Sequence, residues 1–193
     1  MTSLLPIAMF LSVAAITPGP NNLVVMRTAM RNGWTGVLPT MAGIVTGGLA
    51  LLALVTVGAG GAFQAWPWLR ATIEIGGAVY LVSMGVRLFS AAGHDDDKTP
   101  LPIGLPGLFG FQFLNPKGWV MVLTAVAAMP STAASRTFLE LAPLFVLIPI
   151  AGLAVWAGLG GVLASRLIVP AVRRWTDRTL SALLILAALL LFV

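Results

Sequence analysis

The chain has no cysteine, one histidine and very little charge. Without cysteine there is no disulfide, no thiolate nucleophile and no metal site built on sulfur. A single histidine excludes the imidazole clusters that transition metals favour. Charged side chains make up 9% of the 193 residues, against about 25% in a soluble domain. Too few charges remain to keep the surface of such a globule wet. That excludes a soluble enzyme, a disordered chain and a nucleic-acid binder. The net charge of +5 is spread thinly between apolar runs and suits a membrane better than a phosphate backbone. No Gly-Lys dipeptide occurs, so no Walker loop can form.

What is abundant is apolar: 59% of the residues are hydrophobic, with 21 Gly, 13 Pro and 8 Met. A membrane helix needs about 20 mostly apolar residues. Six such stretches are expected, at Leu4–Met26, Val37–Gly60, Ala71–Phe89, Gly107–Met129, Leu141–Ser165 and Thr179–Val193. The expected fold is therefore an all-α integral membrane protein, a single domain over 1–193. The first stretch is taken as a retained helix, because no Lys or Arg precedes Arg27 as a signal peptide would require. The hydrophilic segment Ala91–Pro102, with His94 and Asp95–Asp97, reads as a solvated loop joining halves of about 1–90 and 103–193. Eight basic residues follow helices one, three and five: Arg27 and Arg31, Arg87 and Lys98, then Arg166, Arg173, Arg174 and Arg178. The other two loops hold only Arg70 and Arg136. Positive charge collects on the cytoplasmic side, so both termini are expected outside and the central loop inside.

Two of the six helices are expected to be broken. The first contains Thr17-Pro18-Gly19-Pro20-Asn21-Asn22. An interior proline removes a hydrogen bond and costs about 3 kcal/mol or more, and lipid cannot satisfy the carbonyls that are freed. The fourth contains Asn115-Pro116-Lys117. Lys117 lies about ten residues into its span, roughly 15 Å deep, where a lysine costs about 2.5–3.5 kcal/mol. Pro18 and Pro116 are about half the chain apart, each in the first helix of a three-helix half. Three is odd, so the halves enter the bilayer from opposite sides. Interrupted helices in corresponding places of an inverted repeat point to a transporter's binding site. Residue-level similarity between the halves is slight, so the repeat is read from position and topology.

Other features carry less. Gly43-Ile44-Val45-Thr46-Gly47 and the glycines at 76, 77 and 85 suit close helix packing. Trp66, Trp68 and Trp175 lie near span ends, where aromatic anchors are ordinary. Glu74 reads as an interfacial carboxylate and Arg87 as a snorkelling anchor. Trp119, just past the second break, either walls a cavity or simply packs.

Thr17-Pro18-Gly19-Pro20-Asn21-Asn22-Leu23, followed by Arg27, Gly33 and Gly36, resembles the opening signature of the LysE/RhtB family of amino-acid exporters. Gly76-Gly77-Ala78-Val79-Tyr80-Leu81 resembles its third-helix pattern, and Gln112-Phe113-Leu114-Asn115-Pro116-Lys117 its fourth. The likeness runs in order over nearly the whole chain and looks most like the cysteine/O-acetylserine branch. It implies export of amino acids or small derivatives across a bacterial inner membrane, coupled to protons. It departs from the family where many members carry acidic residues: Asn21 and Gly47-Gly48 stand there, which argues against a lysine or arginine substrate.

The expected substrate site comprises Thr17, Pro18, Gly19, Pro20, Asn21 and Asn22 with Asn115, Pro116 and Lys117. Lys117 and the half-helix N-termini suit a substrate carboxylate, and the amide oxygens suit its ammonium. No cofactor or metal is called for, and a homodimer is left open. No nucleophile–base pair stands out, so an enzyme is the weaker reading. A passive channel for small polar solutes is the closer rival to a carrier.

Overall fold

The computed structural model describes residues 4–91, 105–130, 133–164 and 170–189. The hydrophilic segment with His94, Asp95–Asp97 and Lys98 lies outside them, as does Arg166. Every regular element among the described residues is helical. Helix α1 (Leu5–Ile16) and helix α2 (Pro20–Leu54) are parted by Thr17–Gly19. A π turn (Val55–Ala59) and α3 (Gly60–Ala65) lead to α4 (Pro67–Ala91). Helix α5 (Leu105–Phe111) passes through a 3₁₀ turn (Gln112–Leu114) and Asn115 into α6 (Pro116–Ala127). Helices α7 (Ala134–Ala164) and α8 (Pro170–Leu189) follow. By length and composition, three stretches can cross a membrane: Pro20–Ala62, Pro67–Ser90 and Ala134–Ala164. Helices α1 and α6 and the run Leu105–Leu114 are shorter and apolar.

Both expected breaks are present, and their prolines start helices rather than kink them. Pro20 opens α2 and Pro116 opens α6. At a first helical position proline has no hydrogen bond to lose, and its fixed φ is already helical. Two boundaries differ from the sequence expectation. The second span starts just after Gly33, a few residues before Val37, and the stretch from Pro20 to Gly33 ahead of it is helical too. A straight helix of 43 residues would be roughly 65 Å long, twice a hydrocarbon core of about 30 Å. Gly33, at φ 60° and ψ −164°, supplies the bend within α2, and Gly58, at φ 115°, supplies another. Only glycine takes such angles without strain. The last helix begins at Pro170, so the charged segment before Thr179 is helical as well.

The packing is reciprocal. Helix α1 lies along α7, while α5 lies along α2. The pieces before the two breaks, α1 and α5, thus each rest on a long helix remote in sequence, and α4 pairs with α8. The contacts run through small residues. A Cβ on Gly152 of α7 would sit 3.0 Å from that of Ala15, and one on Gly43 or Gly47 would sit 2.6 Å from the carbonyl oxygen of Leu105 or Phe109. Gly43 and Gly47 therefore meet α5 at matching four-residue steps, as the G-x-x-x-G pattern suggested. Because the obstruction at Gly47 is backbone, Gly47→Val should destabilise the protein by about 1–3 kcal/mol. Gly48→Ala should be neutral, since nothing lies within 4 Å of its would-be Cβ. Thermal denaturation in detergent, followed by size-exclusion chromatography, checks both.

Candidate functional site

The chain ends exposed by the two breaks need hydrogen-bond partners, because buried backbone groups are almost always paired. The partners come from the same break, from the other break and from α7. Lys117 Nζ donates to the Thr17 carbonyl at 2.8 Å. Asn22 Nδ2 donates to the carbonyls of Ala15 and Thr17, each at 2.9 Å. Trp156 Nε1, from α7, donates to the Ile16 carbonyl at 3.2 Å. The frayed end of α1 is therefore closed by side chains from three elements. At the second break, Trp119 Nε1 donates to the Phe113 carbonyl at 3.0 Å, and Asn115 N–H donates to the Gln112 carbonyl at 3.3 Å.

A reciprocal amide pair ties the breaks together. Asn21 Nδ2 donates to Gln112 Oε1 at 2.9 Å, and Gln112 Nε2 donates back to Asn21 Oδ1 at 3.1 Å. Gln112 Nε2 also reaches the Leu108 carbonyl at 3.0 Å, and Asn115 Nδ2 lies 3.5 Å from Gln112 Oε1. Asn22, Gln112 and Asn115 are all buried. Gln112 thus holds the centre of the polar cluster, although its sequence neighbourhood only marked a family signature and its side chain was not expected in the site. One signal was available: a polar amide three residues before Asn115, on the same helical face.

Beside this cluster is a cavity of about 80 Å³, room for several water molecules. Gly19, Pro20, Asn21 and Asn22 line it from the first break, and Asn115 and Lys117 from the second. Gln112 adds a further amide. Ile44 and Leu51 of α2, and Phe145 and Leu153 of α7, form apolar walls. Pro149, inside α7, also lines it and was not singled out from the sequence. Lys117 is the one charged side chain in the lining, and no acidic side chain is among it. Three of the nine expected site residues are placed elsewhere. Thr17 and Pro18 are exposed outside the lining, Thr17 contributing only its carbonyl to Lys117. Pro116 faces a second cavity on the other side of α6.

A second polar cluster was not foreseen. Asp177 of α8, buried with its side chain 3% exposed, lies 2.5 Å from Arg31 Nη2 and 3.6 Å from Arg27 Nε. Arg27 and Arg31 were expected in a cytoplasmic loop; both are within α2, and Arg27 is buried. Among the described residues, no group of three acidic or imidazole side chains could hold a metal.

Comparison with known proteins agrees with the resemblance drawn from the motifs. Curated cysteine/O-acetylserine efflux proteins of Salmonella typhimurium and Salmonella typhi are each 30% identical over 150 residues, covering 75% of this chain and 75% of theirs. The cysteine/O-acetylserine efflux protein of Escherichia coli is 28% identical over 160 residues, covering 80% of each. No solved structure matches. The LysE type translocator family matches residues 12–193, so a match over nearly its whole length makes this chain a member of that family, a helical membrane translocator and not an enzyme.

Proposed function

We propose that the protein exports small neutral amino acids or their derivatives from the bacterial cytoplasm across the inner membrane. The observation that carries this reading is the cavity where the two breaks meet, with one cation and four amides in its lining. An amino-acid carboxylate suits Lys117 and the N-terminal N–H groups of α2 and α6. Its ammonium suits the oxygens of Asn21, Asn22, Gln112 and Asn115. The apolar walls leave space for a short side chain. With no carboxylate in the lining, a second cation on the substrate would have no counter-charge, which disfavours lysine and arginine. The names of the relatives favour cysteine and O-acetylserine as first substrates to try.

In this reading the chain forms six spans as two inverted halves, both termini outside. The reciprocal packing of α1 on α7 and α5 on α2 supports it. Alternating access is a rocking of one half against the other about the breaks, driven by proton movement in the opposite direction. Counterflow of labelled amino acids in proteoliposomes tests it. Saturable exchange of O-acetylserine or cysteine, at least about tenfold faster than of lysine, is expected, since tenfold corresponds to only 1.4 kcal/mol of discrimination. Conductance that rises linearly with concentration would mean a channel, and no movement of any amino acid would remove the export reading.

A further inference from the structure

Helix α6 has a cavity on each side. Its Lys117, Gly118, Met121 and Val122 face the central one, while Pro116, Trp119, Val120 and Thr124 face a second, of about 490 Å³, closed on its other side by α4. The second cavity reaches the break itself, because Pro116 lines it. Helix α4 is pressed against that break: a Cβ on Gly77 would collide with the Leu114 carbonyl oxygen and sit 3.3 Å from Pro116 Cδ. Glu74 and Arg70 stand one and two turns before Gly77 on the same face of α4, and both line this cavity. Arg70 Nε donates to Glu74 Oε1 at 2.8 Å, with Glu74 the more sheltered of the two. Trp119, buried and tied to the Phe113 carbonyl, lines this second cavity and not the central one.

The geometry points to a second binding site for zwitterionic amino acids, in the cavity between α4 and α6, with Glu74 taking the ammonium and Arg70 the carboxylate. The chemistry is complementary to the central cavity. That cavity has a cation and no acid, whereas Glu74 supplies the one carboxylate found on either lining. An exposed pair four residues apart on a helix holds itself together only weakly, so a zwitterion can replace each partner with its opposite end. The site thus lies across α6 from the central cavity, as a station on the path to one membrane face. This rests on the export reading.

The lack of native cysteine makes a single introduced thiol a clean reporter. Thr124→Cys reports on the second cavity and Gly48→Cys on the central one. Each is reacted with a membrane-impermeant maleimide, applied to either face of sealed vesicles, with and without O-acetyl-L-serine. Thr124→Cys should react from one face only. O-acetyl-L-serine at ten times its half-protecting concentration should slow that reaction about tenfold, as simple occupancy requires. In Arg70→Gln/Glu74→Gln the protection of Thr124→Cys should vanish while that of Gly48→Cys persists. No reaction of Thr124→Cys from either face would mean a lipid-filled groove and overturn the site. So would protection that survives the double Gln replacement. If Gly48→Cys is protected and Thr124→Cys is not, the second site falls and the export reading stands. If neither is protected, both fall.

Discussion

Lys117→Met should slow export steeply while leaving the protein in the membrane. The methionine keeps most of the stem and removes the charge, and with it the bond to the Thr17 carbonyl. It also removes the one cation that lines the central cavity. A hydrogen bond to a charged group is worth about 1.5–3 kcal/mol, so initial rates of counterflow should fall about 10- to 150-fold. Insertion should improve, since a lysine at the centre of a membrane helix costs about 2.5–3.5 kcal/mol. A fall in rate with an unchanged or raised membrane level separates a role in transport from a role in folding. Gly19→Ala should act in the same direction but less, because its Cβ would sit 3.1 Å from Lys117 Nζ. Wild-type rates in Lys117→Met would remove the lysine from the site. Substrate-driven proton flux that survives in it would remove the lysine from coupling.

The residues that make this site were unevenly legible. Pro20 and Pro116 announce themselves, because a proline inside an apolar run leaves backbone groups that lipid cannot satisfy. Lys117 announces itself by its depth. What the sequence could not convey was the pairing of the pieces. Asn21 and Gln112 are 91 residues apart, and no periodicity links two amides across such a distance. Their bond exists because α5, which leads into Gln112, packs along α2, which carries Asn21. Glycine patterns predicted that close packing but not its partners: Gly43 and Gly47 could have met any neighbouring helix. Boundaries failed where polar residues are helical. Arg27 and Arg31 look like loop charges in a one-dimensional reading because basic residues usually end a span. Both lie within α2, where a carboxylate on α8 compensates them.

That compensation has consequences for how the two breaks are supported. The bend at Gly33 divides α2, and the piece before it carries Asn21 and Asn22 at one end and Arg27 and Arg31 at the other. The amide end is held by Gln112 and the basic end by Asp177. The segment that positions half of the central site is therefore fixed at two points, one polar and neutral, the other ionic. Helix α8 is in turn held to α4, where Ser181 Oγ donates to the Gly85 carbonyl at 2.7 Å and Arg178 lies 5.6 Å from the centre of the Phe89 ring.

Asp177→Ala should be the most destabilising single replacement outside the hydrophobic core. It removes the carboxylate that two guanidiniums share, with side-chain exposures of 6% at Arg27 and 18% at Arg31. Breaking a buried ion pair by deleting one partner costs about 3–5 kcal/mol, because the remaining charge stays buried. Against a total stability of about 5–15 kcal/mol, that is enough to lower the midpoint of thermal denaturation sharply and reduce the folded yield in detergent. Replacing the whole cluster is a different matter. Arg27→Met/Arg31→Met/Asp177→Leu removes every charge together, and such exchanges are often neutral or stabilising. Recovery of thermal stability in the triple variant, beside its loss in Asp177→Ala, would show that uncompensated charge and not lost packing is the cause. A triple variant as unstable as Asp177→Ala would refute that account and make the cluster a structural requirement in its own right.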